Sequence, residues 1–345
     1  METLKGDFKV VKQIVSRYID VKRPIMIWGG MGIGKSTLVR ELGEAKGYEV
    51  RDIRLSLHDP IDFVGAPRIV KVEDGSEVTK FFPPSFLPTS KDGKNKDGKV
   101  LVFFDELNQA NRMVQAAALQ IMLDRTCGDY VLPDNAVIIA AGNRQTDNAF
   151  VQPLSCALEN RMGHIEMEAS LDPWIVWARG EKMMDEIVDF VQFKSDLFYK
   201  NTGEPAFPTP RSWTFAEQLI KGITDDKLVK VLLASTVGIG AATEYDAWMK
   251  VYRKIDVEKI LDKGEIPDLQ SKDASVKYAL VLSIAGLVRN NKEKGREDNL
   301  AKFLKIVPTE FQVLFFKNIT TQKIQKLLDN KSMEEFVKLI NKVLE

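Results

Sequence analysis

The chain is poor in thiol and imidazole. Among 345 residues there are two cysteines, Cys127 and Cys156, and two histidines, His58 and His164. Two cysteines do not build a disulfide framework, and no metal-ligand spacing is present. The histidines lie far apart in sequence, and both are expected to be structural rather than catalytic. Net charge is also missing, with 49 Lys+Arg against 49 Asp+Glu. A nucleic-acid binder usually shows a basic excess because it must neutralise phosphates, so nucleic acid is not the expected partner, although balance permits a local basic patch. No run of 18 or more apolar residues occurs, so no membrane span is expected. Met1-Glu2-Thr3-Leu4-Lys5 lacks the basic and then apolar regions of a signal peptide, and a cytoplasmic location is expected.

What is present is ordinary for a globular protein: 44% hydrophobic and 28% charged residues. Single cores stop growing near about 250–300 residues, so two domains are expected. Val10, Val11, Ile14, Val15 and Tyr18 recur at helical spacing. Pro24 opens the apolar run Ile25-Met26-Ile27-Trp28, which reads as a buried strand. Glycines follow at once, and Thr37–Leu42 reads as a helix. Strand, Gly-rich loop, helix is the first unit of an α/β sheet. Residues 48–57 read as a second strand. An irregular insertion spans about 59–99. Within it, Val70–Val78 carries an Asp-Gly turn between alternating residues, a β-hairpin pattern. Lys91 to Lys99 reads as a polar, solvated loop. Val100–Phe104 and Val137–Ala141 are continuous apolar runs that suit central parallel strands. Between them, Val114, Ala117, Ala118, Ile121 and Met122 mark a helix, and His164–Met167 reads as a last strand. After about residue 169 strand patterns fade and helical periodicity dominates. The expected division is therefore 1–169 for an αβα core and 170–345 for helices.

Five features carry chemistry. Gly29-Gly30-Met31-Gly32-Ile33-Gly34-Lys35-Ser36, followed by Thr37, lies between a strand and a helix. Its glycines let the backbone curl so that successive N–H groups point at phosphate oxygens. The helix aims its positive end at the same place. Lys35 can reach the β- and γ-phosphates of a nucleoside triphosphate, and Ser36 can ligate Mg²⁺. The second feature, Asp105-Glu106, ends an apolar strand and so faces the crevice where α/β folds bind ligands. Asp105 can hold Mg²⁺ through water, and Glu106 can orient and deprotonate the attacking water. Asn143 ends another strand, where its amide can touch the γ-phosphate or serve only as a turn residue beside Gly142. Arg161 can supply positive charge to a transferring phosphate in a neighbouring chain, or be a paired surface arginine. Arg211 falls in the first turn of a helix capped by Thr209 and opened by Pro210. The helix dipole disfavours a cation there, which leaves either a functional placement or a tolerated exposed start.

In this order and spacing the five features resemble an AAA+ ATPase. Gly29–Ser36 resembles Walker A, Asp105-Glu106 Walker B, Asn143 sensor 1, Arg161 the arginine finger and Arg211 sensor 2. More narrowly the chain resembles the MoxR-type branch, on Asp62-Phe63-Val64-Gly65-Ala66-Pro67 with the hairpin after it, on Phe104–Ala110, on Ala141–Arg144 and on Phe207–Trp213. The likeness covers about residues 1–290. Met162 replaces the Phe that many relatives carry after the finger, and Arg125 and Arg144 compete for its role. The resemblance implies a five-stranded parallel sheet between helices with a β-hairpin insertion, then an all-α lid and C-terminal helices. It implies ATP rather than GTP, Mg²⁺, and a homo-oligomeric ring, usually a hexamer, with ATP at the subunit seam. It also implies chaperone-like remodelling of a protein partner, in some members one with a von Willebrand A-like domain. The competing readings are a nucleic-acid motor or nuclease-associated translocase, and a nucleotide-binding module with little turnover. Neutral charge disfavours the first of these, and Glu106 with Arg161 disfavours the second.

Overall fold

The computed structural model describes residues 4–89, 98–144, 152–154, 159–269, 272–290, 292–293 and 295–344. Cys156 and most of the Lys91–Lys99 loop lie outside them. The chain forms two compact units, Met1–Trp174 with Thr209–Arg211, and Ile175–Pro208 with Ser212–Glu345.

The first unit alternates strand and helix. β1 (Lys5–Gly6) and α1 (Phe8–Asp20) lead to β2 (Ile25–Gly29), α2 (Lys35–Ala45) and β3 (Glu49–Arg54). A short helix α3 (Pro60–Val64) precedes β4 (Ala66–Lys71) and β5 (Glu77–Phe82). Then come β6 (Val100–Asp105), α4 (Arg112–Asp124), a small β7–β8 pair (Thr126–Cys127, Tyr130–Val131), β9 (Ala136–Gly142) and β10 (Gly163–Met167). Six strands form one sheet in the order β1-β10-β2-β9-β6-β3. Every pairing in it is parallel. The sheet holds the five expected strands and one more. The addition is the two-residue β1, which pairs Lys5 with Glu166 and Gly6 with Met167 and is too short to leave a periodic pattern. The second strand is shorter than expected, because residues 55–57 wind into a 3-10 turn.

Parallel strands need crossover helices, and these cover both faces of the sheet. That is why β6 and β9 are apolar along their length: Val100–Phe104 and Ala136–Ala141 are all buried. On one face Met26, Phe104, Ile138 and Ala140 pack with Val114, Ala118 and Ile121 of α4. β4 and β5 pair antiparallel about the Asp74-Gly75 turn, and Gly75 adopts φ 83°, which the Asp-Gly pattern anticipates.

Among the described residues the second unit has helices and no strand. These are the later part of α5 (Leu171–Gly180), α6 (Asp185–Phe193), most of α7 (Pro210–Ile220), α8 (Asp226–Tyr252), α9 (Val257–Lys263), α10 (Ala274–Arg289), α11 (Glu297–Ile306), α12 (Thr309–Lys317), α13 (Thr321–Leu328) and α14 (Val337–Leu344). Asp226–Lys263 is long and apolar enough to cross a bilayer by length and by a mean hydropathy of 1.2. Its first helix breaks at Gly238, buries Leu233, Val237, Tyr245 and Trp248, and carries the ion pair Lys230–Asp246. These features fit a helix packed within the helical unit.

A buried ionic cluster sits in this unit. Asp189 is fully buried, 3.3 Å from Arg179 and 3.3 Å from the Tyr252 hydroxyl that donates to it. Loss of water outweighs the pull of Arg179 and Arg289 and pushes its carboxyl up to about 7, from an ordinary value of 3.8. Between about pH 4 and 7 the folded chain therefore keeps a proton that the unfolded chain has lost. The group's contribution to stability falls as pH rises through that window. Asp189→Asn removes the linkage. Its melting temperature relative to the parent should climb from about pH 4 to 7 and then level off. A calorimetric difference that stays flat across the window contradicts this assignment.

Candidate functional site

β2 lies between β9 and β10, and its crossover through α2 runs to β3 at the far edge of the sheet. A switch of this kind opens a crevice at the C-terminal ends of the strands. Gly29, Asp105 and Asn143 all fall there, at the ends of β2, β6 and β9. The register sets Trp28 opposite Gly142 and Phe104 opposite Ala140.

Residues 30–34 form a tight loop from β2 into α2. Gly32 and Gly34 take φ 72° and 102°, which side-chain-bearing residues rarely adopt. A Cβ on Gly29 would lie 2.6 Å from the Met167 carbonyl oxygen. Gly34 caps α2 without a side-chain hydrogen bond, and the first turn closes with Leu38 N–H donating to Gly34 O. The N–H groups of Lys35, Ser36 and Thr37 open the helix, where the first-turn donors have no partner within the helix. Lys35 is 8% exposed. Its Nζ donates to Gly29 O at 2.7 Å, Gly30 O at 2.8 Å and Asn143 Oδ1 at 3.0 Å. The amine therefore stitches the loop to the strand that carries Asn143.

Ser36 Oγ donates to Asp105 Oδ2 at 2.8 Å, and the Glu106 N–H donates to Asp105 Oδ1 at 2.9 Å. A hydroxyl and a carboxylate, both hard oxygen donors of the kind Mg²⁺ takes, thus stand side by side, Ser36 able to ligate it and Asp105 to hold it through water. The donor set therefore fits Mg²⁺. Glu106 itself is left-handed, φ 57° and ψ 33°. Such a backbone costs a side-chain-bearing residue about 1–2 kcal/mol and concentrates at functional positions. The Ser56 hydroxyl donates to the Glu106 carboxylate.

Asn143 is buried and is held from behind by Asn108. The Asn143 N–H donates to Asn108 Oδ1 at 3.1 Å, and Asn108 Nδ2 donates to Asn143 O at 2.8 Å. Gly142 is required beside this clamp, because a Cβ there would overlap Asn108 Oδ1. Asn108→Ala releases Asn143, the acceptor of the Lys35 amine, and should lower kcat for nucleotide hydrolysis about tenfold. An unchanged kcat in steady-state assays would show that the clamp is only structural. Ser56 and Asn108 were not singled out from the sequence. Asn108 lies inside Phe104–Ala110, but nothing in a linear reading aims its amide at residue 143.

Arg211 is brought to the loop. Its N–H donates to Gly32 O at 3.2 Å, and its Cβ would lie 3.2 Å from a Cβ on Gly32. Arg161 is not brought there. It precedes β10, whose Gly163 pairs with Ile25 and whose Met167 pairs with Gly29. At about 3.3 Å per residue this sets Arg161 some 13 Å or more along the sheet from the phosphate loop. It is exposed and has no hydrogen bond or ion pair among the described residues. Its competitors are engaged: Arg144 pairs with Glu166 at 2.6 Å, and Arg125 donates to Pro133 O and Ala136 O. His164, expected to be structural, accepts from Trp28 and contacts Glu159 O.

Sheet order, phosphate loop and crossover helices define a P-loop αβα fold with a hairpin insertion, followed by helices. No protein-family model matches the chain, and no curated protein matches it. Among solved structures it is similar to the RuvB Holliday junction branch migration motor of Thermotoga maritima, at 16% identity and a TM-score of 0.39, over 80% of this chain and 79% of that one. It is also similar to NtrX from Brucella abortus, at 13% identity and a TM-score of 0.34, over 92% of this chain and 67% of that one. The fold assignment rests on the sheet order and the loop themselves, not on these likenesses.

Proposed function

We propose that this chain is an AAA+ ATP hydrolase of the MoxR type, which acts as a homo-oligomeric, hexameric ring and remodels a protein partner, one class being proteins with a von Willebrand A-like domain. The observation that carries the proposal is the division of polar and charged groups between the two edges of one sheet. Lys35, Ser36, Asp105, Glu106 and Asn143 meet at the C-terminal edge, while Arg161, unpaired among the described residues, lies beyond the other. A site with phosphate cradle, metal oxygens and base, but with its free arginine out of reach, fits completion by a second chain.

Residues Gly29 to Thr37 would hold the triphosphate, Ser36 and Asp105 would hold Mg²⁺, and Arg211 would contact the nucleotide in its own chain. Bound Mg²⁺ would neutralise charge on the β- and γ-phosphates. Glu106, aimed by Ser56, takes a proton from the attacking water. Asn143 accepts from Lys35 through Oδ1, and its Nδ2 hydrogens are available to the γ-phosphate or that water. Arg161 of a neighbour stabilises charge on the transferring phosphoryl group. In this reading residues 1–169 are the core and 170–345 the lid with C-terminal helices, and the protein works in the cytoplasm.

The alternative is a nucleic-acid-linked motor. Turnover measured with duplex DNA, single-stranded DNA, RNA and a von Willebrand A-like domain protein separates the two. Stimulation by the protein alone supports remodelling. Stimulation by nucleic acid alone overturns it.

A further inference from the structure

We propose that Trp28 and His164 form a positioning pair that sets the stance of Arg161, an inference that rests on Arg161 acting in a neighbouring chain. Trp28 is the residue of β2 that enters Gly29 and the phosphate loop. Its Nε1–H donates to His164 Nδ1 at 3.0 Å, and the two rings lie edge to edge and nearly parallel, at 13° with centroids 6.1 Å apart. His164 Nε2 lies 2.7 Å from the carbonyl oxygen of Glu159, two residues before Arg161.

The partners fix the tautomer. An indole nitrogen only donates, so Nδ1 must accept, and the hydrogen sits on Nε2, where a carbonyl oxygen receives it. The chain of bonds is directional: Trp28 N–H to His164, His164 N–H to Glu159 O. One ring thus spans from the strand that feeds the phosphate loop to the turn that presents Arg161. The Arg161 side chain makes no bond among the described residues, and its turn is held from the other side by Gly163 N–H donating to Pro24 O at 3.1 Å and by Met162 packed against the core.

Two further ties run beside this one. Arg144, next to Asn143, pairs with Glu166 on β10 and donates to Met167 O at 3.4 Å. Gly29 approaches the same Met167 carbonyl. The far end of β10 thus touches the nucleotide side of the sheet, and its near end, through His164, holds the arginine turn. A shift at the loop on hydrolysis therefore has a short physical path to the arginine offered to the next subunit. The two partners of His164 belong to elements with opposite roles, Trp28 to the strand that feeds the phosphate loop and Glu159 to the turn that presents Arg161.

The test uses full-length chains in mixed assemblies. Lys35→Ala chains offer Arg161 but bind nucleotide weakly, so they are kept at an ATP concentration that fills the other chain alone, and Arg161→Ala chains hold nucleotide but lack the arginine. Their mixture should hydrolyse ATP at seams where the first serves the second. His164→Phe is then added to one chain or the other. Placed in the arginine-offering chain, it should cut the rescued rate at least about tenfold, within the roughly hundredfold that a misplacement of about 1 Å can cost. Placed in the nucleotide-holding chain, it should leave the rate within about twofold. Trp28→Phe, which keeps a ring in the slot and loses the N–H, should behave alike and covers the case in which His164→Phe does not fold. Rescue that is insensitive to either substitution in the arginine-offering chain overturns the proposal while sparing the role of Arg161. So does sensitivity confined to the nucleotide-holding chain. No rescue with His164 and Trp28 intact overturns the role of Arg161, and the positioning pair with it.

Discussion

Glu106→Gln is expected to abolish steady-state ATP turnover, by at least about a hundredfold, and to leave ATP bound. Glu106 follows β6 with a left-handed backbone, and its carboxylate is held by the Ser56 hydroxyl. Gln has the same shape and can still accept from Ser56, so the local fold and the phosphate loop should persist. It has no basic oxygen to take the proton of an attacking water. The loss should therefore appear in kcat, while the dissociation constant measured with a fluorescent ATP analogue stays within about twofold. Equal turnover in parent and variant would remove Glu106 from the role of base.

Lys35→Ala should instead act on binding. The Lys35 amine is buried and gathers Gly29 O, Gly30 O and Asn143 Oδ1 within 3.0 Å. In the substituted chain those oxygens lose a shared donor and the triphosphate loses a cation. Hydrogen bonds to a charged group are worth about 1.5–3 kcal/mol each. Losing one to the phosphates therefore weakens ATP binding about 10- to 150-fold. Equilibrium titration checks this, and unchanged affinity would show that the loop binds without its amine.

Much of this was legible in the sequence because it is local. A phosphate loop is contiguous, so its glycines, Lys35 and Ser36 announce themselves between a strand and a helix. β6 and β9 betray themselves as apolar runs because a parallel sheet is covered on both faces. The positions of Asp105 and Asn143 follow from strand ends and a common parallel direction. What was not legible is what the fold brings together from afar. Asn108 reaches Asn143, Ser56 reaches Glu106, and Trp28 reaches His164, all through side-chain geometry that no periodicity encodes. β1 escaped because two residues cannot show a repeat. Residues 55–57 depart from the expected strand because apolar alternation there serves a 3-10 turn, with Leu55 buried and Leu57 exposed. The opposite stations of Arg161 and Arg211 became clear only with the register of β10 against β2 and the bond from Arg211 N–H to Gly32 O.

The central claim is that the site at Gly29–Ser36 is finished by another chain. It is tested most directly by ATP turnover per chain across a dilution series in which the mass of the assembly is followed in parallel. Turnover per chain should rise and fall with the assembled fraction and be negligible in monomers. Full turnover by monomeric chains would contradict the account.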